Sequence, residues 1–342
     1  MPKQLIPFIQ GRSLLSLSFE RLAGLVGAGE RWVCAGESHR QAISAALPDL
    51  PAERFLGEPS GRDTLNALAY SAAIIVRTDP GAVMGVFTAD HLITPTDAFQ
   101  RIVSLGFEAA ESAGQVLVTF GVTPTEAATG YGYLRLGPAF NENARIVAEF
   151  REKPDAATAV QWVAQGPERF LWNSGMFVWK AATFLECVRR YAPATFEGVT
   201  AIAAEWGTPR FGEALRAVYP TLQKISVDFA VMEKASRDPA VRVAAVPMSL
   251  SWRDIGSWPS FAETCPHDEQ GNAIAAAKCL LEDTAGTLVA SSDPEHLVAV
   301  LGCAELLIVH TPTATLVCRR DKAEDVKKLQ EMAAARFGRG YV

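Results

Sequence analysis

One stretch near the middle of the chain places a carboxylate, an ammonium and an amide at the ends of two predicted strands. Residues 147–150 alternate apolar and polar side chains like a short strand, and Glu152 and Lys153 follow before a proline ends the strand. Asn173 precedes a buried run and stands near a glycine that lets a ligand approach the backbone. Together these groups could bind the hydroxyls and the anion of a sugar phosphate. Each piece alone is also typical of a solvated turn.

A second stretch combines two glycines with an aromatic side chain. Gly130 and Gly132 flank Tyr131 within T-E-A-A-T-G-Y-G-Y-L, downstream of a buried strand predicted at 116–120. Because glycine has no side chain, this backbone could press closely against a ligand. A glycine-rich turn with aromatic packing is the alternative interpretation.

The elements that must position these groups alternate between strands and helices. Nearly continuous apolar runs predict buried strands, and helices of ten to fifteen residues separate them. This order indicates an α/β, Rossmann-like, mixed and mostly parallel sheet. Ligands of such sheets bind beyond the carboxyl ends of the strands, where Asp90 and the segment after Phe120 lie. The predicted strands are 83–88, 116–120, 147–150 and 241–247, and the predicted helices are 62–76, 97–112 and 156–165.

The pattern changes from about residue 264. Short apolar runs separated by polar turns replace the long helices, and a charged amphipathic helix over 321–336 closes the chain. We therefore expect an α/β domain over 1–263 and a small β-rich domain over 264–342. The apolar strands of the second domain could support a homodimer.

Composition excludes several classes of partner. The chain has 342 residues, 49% hydrophobic content and a net charge of −6, which argues against a nucleic-acid polymer or an anionic membrane as ligand. No apolar run is long enough to cross a bilayer. The six cysteines show no CxxC pairs and are expected to be reduced, so we predict a cytoplasmic protein.

Five motifs carry a resemblance to a known family. E-K-P at 152–154 followed by W-N-S-G-M-F at 172–177 resembles the bacterial mannose-1-phosphate guanylyltransferases of the sugar nucleotidyltransferase superfamily. The glycine stretch is similar to the family's P-T-x-P-E-T-G-Y-G-Y, with Ala127 and Ala128 in place of Pro-Glu. I-S-V-D-F-A-V-M-E-K at 225–234 and S-W-R-D-I-G-S-W at 251–258 resemble S-I-D-Y-A-V-M-E-K and W-S-D-V-G-S-W. E-P-S-G-R-D-T at 58–64 resembles E-P-x-G-R-N-T.

The resemblance implies a reaction and a metal. GTP and mannose 1-phosphate would give GDP-mannose and pyrophosphate, with Mg²⁺ held by Asp90 and Asp254. Two distant aspartates would suffice, because Mg²⁺ prefers few carboxylates together with phosphate oxygens. A helix cap is the alternative role for either aspartate. His91 is expected to be a structural neighbour, since an oxygen-rich magnesium site has little use for imidazole.

The resemblance also assigns the substrate contacts. Lys153 would neutralise the sugar phosphate, and Lys3 would contact the nucleotide phosphates. Sugar hydroxyls would be bound at the glycine stretch already described, at Glu152 and at Asn173, with Asp228 near the same pocket. Glu58 would read the guanine base.

One family motif is not found in the sequence. The glycine-rich loop G-G-x-G-T-R-L-W-P, which cradles the triphosphate, would precede Lys3, and no equivalent occurs elsewhere. Since backbone amides of such a loop hold the phosphates, we expect this 342-residue chain to be weakly active or inactive and a version extended upstream to make GDP-mannose.

Two rival functions remain open at this point. A related enzyme for a different sugar 1-phosphate would share the same motifs. A homologue that binds a sugar nucleotide without turning it over would lack the triphosphate loop but need not retain Asp90, Lys153 and Asp254. Hydrolase and dehydrogenase activities are disfavoured, because the sequence has no nucleophile elbow and no G-x-G-x-x-G after a strand.

Overall fold

The structure is a computed structural model that describes residues 3–7, 9, 11–112 and 114–338. The chain divides into two compact units. Unit 1 consists of Met1–Arg21, Ala89–Ile93 and Trp252–Val342, and unit 2 consists of Leu22–Thr88 and Thr94–Ser251.

In chain order, the strands are β1 (Val33–Gly36), β2 (Phe55–Glu58), β3 (Val83–Val86), β4 (His91–Thr94), β5 (Val116–Val122), β6 (Tyr133–Ala139), β7 (Arg145–Arg151), β8 (Phe170–Lys180), β9 (Arg242–Met248), β10 (Ser251–Asp254), β11 (Ala273–Ala275), β12 (Lys278–Glu282), β13 (Leu288–Ser291), β14 (Leu297–Leu301), β15 (Leu306–Thr311) and β16 (Ala314–Arg319). The helices are α1 (Leu14–Arg21), α2 (Arg40–Ala46), α3 (Asp63–Thr78), α4 (Thr96–Glu111), α5 (Ala156–Val163), α6 (Ala181–Tyr191), α7 (Pro193–Ala204), α8 (Phe211–Val218), α9 (Glu233–Ala235), α10 (Trp258–Ala262) and α11 (Val326–Phe337).

Unit 2 is built on a six-stranded sheet with the order β3-β8-β5-β9-β7-β6, in which β6 also pairs with the start of β8. The expected α/β class with a mixed sheet is confirmed, but one detail differs. Only β5 and β9 run parallel among the pairings described for this sheet, and the other pairs are antiparallel. Buried apolar runs do not reveal strand direction, and the short turn between β6 and β7 can join only antiparallel strands.

Helices cover the sheet of unit 2 and bury its central strands. All seven residues of β5 are buried. Gly106 of α4 lies against the ring of Phe120, and Trp179 of β8 stacks on Phe184 of α6 with ring centroids 4.3 Å apart. Fully burying an aromatic side chain of this kind stabilises the fold by about 2 kcal/mol relative to exposure. The sheet is therefore a rigid support for the polar groups at its strand ends.

Helix α5 forms where the sequence predicts it. The Asp155 carboxylate accepts a hydrogen bond from the backbone amide of Thr158 at 2.9 Å, as expected of an N-cap residue. The helix ends at Val163, slightly before the predicted end at residue 165. Glu152 and Lys153 consequently lie between the end of β7 and this capped helix.

The β-rich part of unit 1 winds in successive coils. Strands β11, β13 and β15 pair in parallel, β16 adds an antiparallel edge, and β12 pairs in parallel with β14. Residues of β14 alternate between exposed and buried, so Val298 and Val300 face inwards. The closing helix predicted over 321–336 appears as a 3₁₀ segment, Arg320–Asp325, followed by α11.

Two further features concern the cysteines and the hydropathy of the helices. All six cysteines are free thiols. Within the described ranges, none of the helices combines the length and the hydropathy that a bilayer crossing requires.

Candidate active site

Glu152 is the centre of a polar cluster in unit 2. Its side chain is only 9% exposed, and its carboxylate lies against the bare backbone of Gly132. A Cβ atom added at Gly132 would come within 2.6 Å of Glu152 Oε2. The amide of Glu152 donates a hydrogen bond to Glu233 Oε1 at 2.8 Å, so the residue is held from both sides. Gly132 is thus required where it is because a carboxylate occupies the space of its missing side chain.

Lys153 combines an exposed ammonium with an unusual backbone. Its Nζ lies 3.2 Å from Glu152 Oε1, and its side chain is 56% exposed, so a ligand can reach it. The φ angle of Lys153 is +47°, in the left-handed region that side-chain-bearing residues seldom adopt. Strain of this kind often accompanies a functional position.

Asn173 connects three segments of unit 2. Its backbone amide donates to the carbonyl of Gly132 at 2.8 Å, its Nδ2 donates to Asp228 Oδ1 at 3.0 Å, and its Oδ1 accepts from the hydroxyl of Thr119 at 2.7 Å. The side chain is buried, and every polar atom of its amide group has a partner. Asn173 is therefore held in a single orientation.

A bulge in β8 brings Asn173 into this position. Thr119 pairs with Phe177, but Gly121 pairs with Asn173, so β8 contains two more residues than β5 between these pairs. Gly175 lies in the extra segment with φ +69°, which glycine adopts without strain. The Asn-Ser-Gly tripeptide is therefore a strand bulge in the structure.

Burial changes the acidity of two carboxyl groups in this cluster. Burial, together with the nearby charge of Glu152, raises the pKa of Asp228 to about 7, although Lys153 and the hydrogen bond from Asn173 act in the opposite direction. The pKa of Glu152 is also raised, chiefly by burial, and Lys153 opposes this shift. The two acids thus compete for ionisation, and a bound cationic or hydroxyl group would relieve the competition.

Asp228 begins a turn of π-helix, Asp228–Met232, that leads into α9. The sequence predicts an ordinary helix here, from which Asp228 could point into the site while the apolar residues pack. The helix type differs, but Asp228 accepts a hydrogen bond from Asn173 and Met232 is fully buried. Turns of π-helix are frequent at functional sites.

The glycine stretch packs through its aromatic residues. The rings of Tyr131 and Trp172 lie 5.0 Å apart, and the hydroxyl of the buried Tyr133 donates to the carbonyl of Ala128 at 2.9 Å. No described atom lies within 4 Å of a Cβ built on Gly130. Packing thus fixes this loop at Tyr131 and Tyr133, and the surface around Gly130 is open.

Glu58 lies at the end of β2, paired with a buried tyrosine. The Tyr219 hydroxyl donates to Glu58 Oε1 at 2.6 Å. Burial raises the pKa of Glu58, and the hydrogen bond from Tyr219 opposes that rise. A base read by this carboxylate would bind chiefly through Oε2.

A separate acidic group lies in unit 1. Each of Asp90, His91 and Asp254 has a ligand-capable atom within 4.8 Å of those of the other two. Asp254 is the last residue of β10, a strand that the sequence does not predict, whereas Asp90 comes four residues after the end of β3 and directly precedes β4. The amide of Ile255 donates to the carbonyl of Asp90 at 2.9 Å, so the two segments are joined beside the carboxylates.

His91 is oriented by Trp252. The indole Nε1 of Trp252 donates to His91 Nδ1 at 3.2 Å. Since an indole N–H can only donate, Nδ1 must accept, and neutral His91 carries its proton on Nε2. In that tautomer neither ring nitrogen offers a lone pair to a cation. The donor set that fits a divalent metal is therefore the two aspartates, together with oxygens of a ligand.

The sequence does not point to several residues that support these groups. Thr119, Glu233 and Tyr219 bind the proposed ligand-contacting residues in unit 2. In unit 1, the buried guanidinium of Arg21 donates to the carbonyl of His91 at 3.1 Å, and burial lowers its pKa to about 10. Glu233 lies inside the V-M-E-K motif, which is a signal that could have identified it.

The structure brings five of the proposed residues together in unit 2: Gly132, Glu152, Lys153, Asn173 and Asp228. It brings Asp90 and Asp254 together in unit 1. Lys3 begins a short 3₁₀ helix, Lys3–Leu5, and its side chain lies outside the described part of the structure.

Comparison with known proteins identifies both parts of the chain. Residues 1–271 match the family described as nucleotidyl transferase, and residues 279–332 match the MannoseP isomerase/GMP-like beta-helix domain. The xanthan biosynthesis protein XanB of Xanthomonas campestris pv. campestris (strain B100) is 35% identical over 334 residues, covering 96% of this chain and 68% of that protein. The mannose-1-phosphate guanylyltransferase of Escherichia coli (strain K12) is 34% identical over 346 residues, covering 98% and 69%.

Solved structures give the same result. A protein of Thermus thermophilus described as mannose-1-phosphate geranyltransferase superposes with a TM-score of 0.80 at 30% identity, covering 97% of this chain and 92% of that one. A Helicobacter pylori structure described as mannose-6-phosphate isomerase superposes with a TM-score of 0.61 at 27% identity, covering 74% and 96%. The chain therefore belongs to the nucleotidyl transferase family, as a homologue of the bacterial mannose-1-phosphate guanylyltransferases whose motifs it carries.

Proposed function

We propose that this protein transfers GMP from GTP to mannose 1-phosphate, giving GDP-mannose and pyrophosphate. The observation that carries the proposal is the convergence of Glu152, Lys153, Asn173 and Asp228 around the backbone of Gly132. Hydrogen-bond acceptors, a donor amide and one reachable ammonium suit a ligand with several hydroxyls and a phosphate. The names of the relatives support mannose 1-phosphate as that ligand.

In this mechanism the protein positions the reactants and neutralises charge. The acceptor phosphate is already a nucleophile, so the protein need not generate one. Lys153 binds the sugar phosphate and offsets its charge as it approaches the nucleotide phosphate in line. Glu152, Asn173 and Asp228 hold the sugar hydroxyls, with Asp228 and Glu152 favoured in their ionised forms by hydroxyl donors.

Other residues bind the nucleotide. Lys3 contacts its phosphates, and Glu58 Oε2 accepts from the N–H groups of guanine while Tyr219 holds Oε1. The open backbone at Gly130 and the ring of Tyr131 complete the substrate contacts.

Asp90 and Asp254 would hold Mg²⁺, because their carboxylates lie close together and Nδ1 of His91 already accepts a hydrogen bond from Trp252. A bound Mg²⁺ would supply positive charge to phosphate oxygens.

We also propose domains at 1–263 and 264–342, a cytoplasmic location, and a homodimer formed by the second domain.

The test is pyrophosphate release with purified protein. A panel should pair GTP, ATP and UTP with mannose, glucose and galactose 1-phosphates. We expect release to be fastest with GTP and mannose 1-phosphate and to be lost in Lys153→Met. A preference for another sugar 1-phosphate would replace the proposed substrate. Binding of GDP-mannose in calorimetry without release on any pair, even by a version of the protein extended upstream, would instead indicate a non-catalytic sugar-nucleotide-binding protein.

A further inference from the structure

Thr119 lies behind the proposed sugar site and does not belong to any motif that carries the family resemblance. It is located on β5 and its relative exposure is 0%. Its hydroxyl donates to Asn173 Oδ1 at 2.7 Å and also lies 3.1 Å from the carbonyl oxygen of Met176. The single proton of the hydroxyl can point to only one of these acceptors at a time, and the shorter distance favours Asn173 Oδ1.

This hydrogen bond favours one orientation of the Asn173 amide relative to Asp228. With Oδ1 directed to Thr119, Nδ2 is directed to Asp228 Oδ1, which it binds at 3.0 Å. The reversed amide would place its oxygen against the oxygen of Asp228, a repulsive contact whenever that carboxyl group is ionised. Without a hydroxyl at residue 119, the described structure provides no side-chain donor for Asn173 Oδ1 and the two orientations become closer in free energy.

We propose that Thr119 is a positioning residue for the sugar site, which orients the Asn173 amide and through it the Asp228 carboxylate. This role rests on the function proposed above, in which Asn173 and Asp228 hold sugar hydroxyls. Thr119 itself does not need to touch the substrate.

The strand geometry and the local charges support this role. Because β8 bulges between the Phe177 and Asn173 pairs, the Asn173 side chain reaches Thr119 on the neighbouring strand. Asp228 also experiences the negative charge of Glu152 and the positive charge of Lys153. The Asn173 amide is a neutral donor to the same carboxylate, so its orientation affects where the Asp228 oxygens point.

Two substitutions distinguish the effect of the Thr119 hydroxyl from the effect of the shape of the side chain. Thr119→Val keeps the size and removes the donor, whereas Thr119→Ser keeps the donor. We expect Thr119→Val to raise the KM and the Kd for mannose 1-phosphate about tenfold with little change in the KM for GTP, because a buried acceptor loses its partner. Thr119→Ser should stay close to the parent protein.

Thr195 provides a matched control. It is also a buried threonine, 3% exposed, and its hydroxyl donates to the amide oxygen of Asn66 at 3.3 Å. Thr195→Val should lower the urea midpoint of unfolding in the same way as Thr119→Val but leave binding of mannose 1-phosphate unchanged. Equal binding by Thr119→Val and the parent, or equal defects in Thr119→Val and Thr119→Ser, would overturn the proposal.

A second measurement is independent of the substrate. Thr119→Val, Asp228→Asn and the double variant form a cycle in urea unfolding at pH 8. We expect Thr119→Val to shift the midpoint less in the Asp228→Asn background, because an amide at residue 228 can pair with either end of Asn173. Additive shifts would refute the proposal that Thr119 acts on Asp228 through Asn173. If the parent fails to bind mannose 1-phosphate while the shifts are non-additive, the proposed function is wrong, but the coupling of Thr119 to Asp228 through Asn173 is supported.

Discussion

The carboxylate of Glu152 fills the space that a side chain at Gly132 would occupy, since a Cβ there would come within 2.6 Å of Oε2. Gly132→Ala must therefore displace either the Glu152 side chain or the backbone at residue 132. We expect the Kd for mannose 1-phosphate to rise about tenfold, because overpacking of this kind costs about 1–3 kcal/mol. Gly29→Ala, at a position where no described atom lies within 4 Å of the added Cβ, is the control. Equal affinities for the two variants would contradict the proposed place of Glu152.

The raised pKa of Asp228 predicts that the free energy of unfolding falls as the pH rises. Its pKa rises from 3.8 to about 7 on folding, so the folded state holds the proton more tightly than the unfolded chain. The resulting penalty is absent below about pH 4, grows as the pH rises and is complete above about pH 7. Asp228→Asn should therefore raise the free energy of unfolding at pH 8, by roughly 4 kcal/mol, and have little effect at pH 4.

Urea titrations at pH 5, 6, 7 and 8 measure this difference. Asp238→Asn is the control, because hydrogen bonds, above all from the hydroxyl of Tyr191, lower the pKa of Asp238 to about 2. Its contribution is constant over that range, so its stability difference should not vary with pH. A flat profile for Asp228→Asn as well would show that Asp228 is ionised at ordinary pH.

Two substitutions of Lys153 distinguish the loss of its ammonium from the strain of its backbone. Because its φ is +47°, Lys153→Gly should unfold with a free energy about 1 kcal/mol higher than Lys153→Ala. Both variants should lose activity by about 10²-fold, since neither carries the ammonium. Asp283, with φ +53°, allows the same pair of substitutions in the β-rich part of unit 1, where we expect the stability difference without loss of activity. A Lys153→Gly enzyme of normal activity would remove Lys153 from the mechanism.

The aspartate pair predicts a metal site from which His91 is excluded. Asp254→Asn should weaken Mn²⁺ binding, measured by electron paramagnetic resonance, by tenfold or more. His91→Asn keeps an acceptor for the Trp252 indole and should change the Mn²⁺ affinity by less than about threefold. A loss in His91→Asn as large as in Asp254→Asn would make His91 a ligand and place the Trp252 hydrogen bond in doubt.

The sequence predicts the local parts of this structure well. The cap of α5 at Asp155, the buried strand β5 and the change to short strands near residue 264 depend on neighbouring residues, and the structure agrees with each. The motifs also place Glu152, Lys153 and Asn173 in one cluster with Asp228. Local patterns and motif composition are sufficient for these features.

Features that depend on pairing between distant strands are not predictable in this way. The antiparallel direction of most pairings, the bulge that carries Gly175 and the contact between Thr119 and Asn173 all depend on which strands become neighbours. The π-turn at Asp228 also departs from the helix that local periodicity favours. A threonine in a buried strand has no pattern that distinguishes an orienting hydroxyl from an ordinary core residue.

Unit 1 is assembled from three stretches of chain that unit 2 separates. During synthesis on a ribosome, Asp90 emerges long before Asp254, and its short strand β4 has no partner until β10 follows. Residues 94–251 can complete their own sheet in that interval, because every strand of the six-stranded sheet except β3 lies within them. Asp90 and Asp254 are therefore joined only after most of the chain has been made, so the proposed cation site would form late in synthesis.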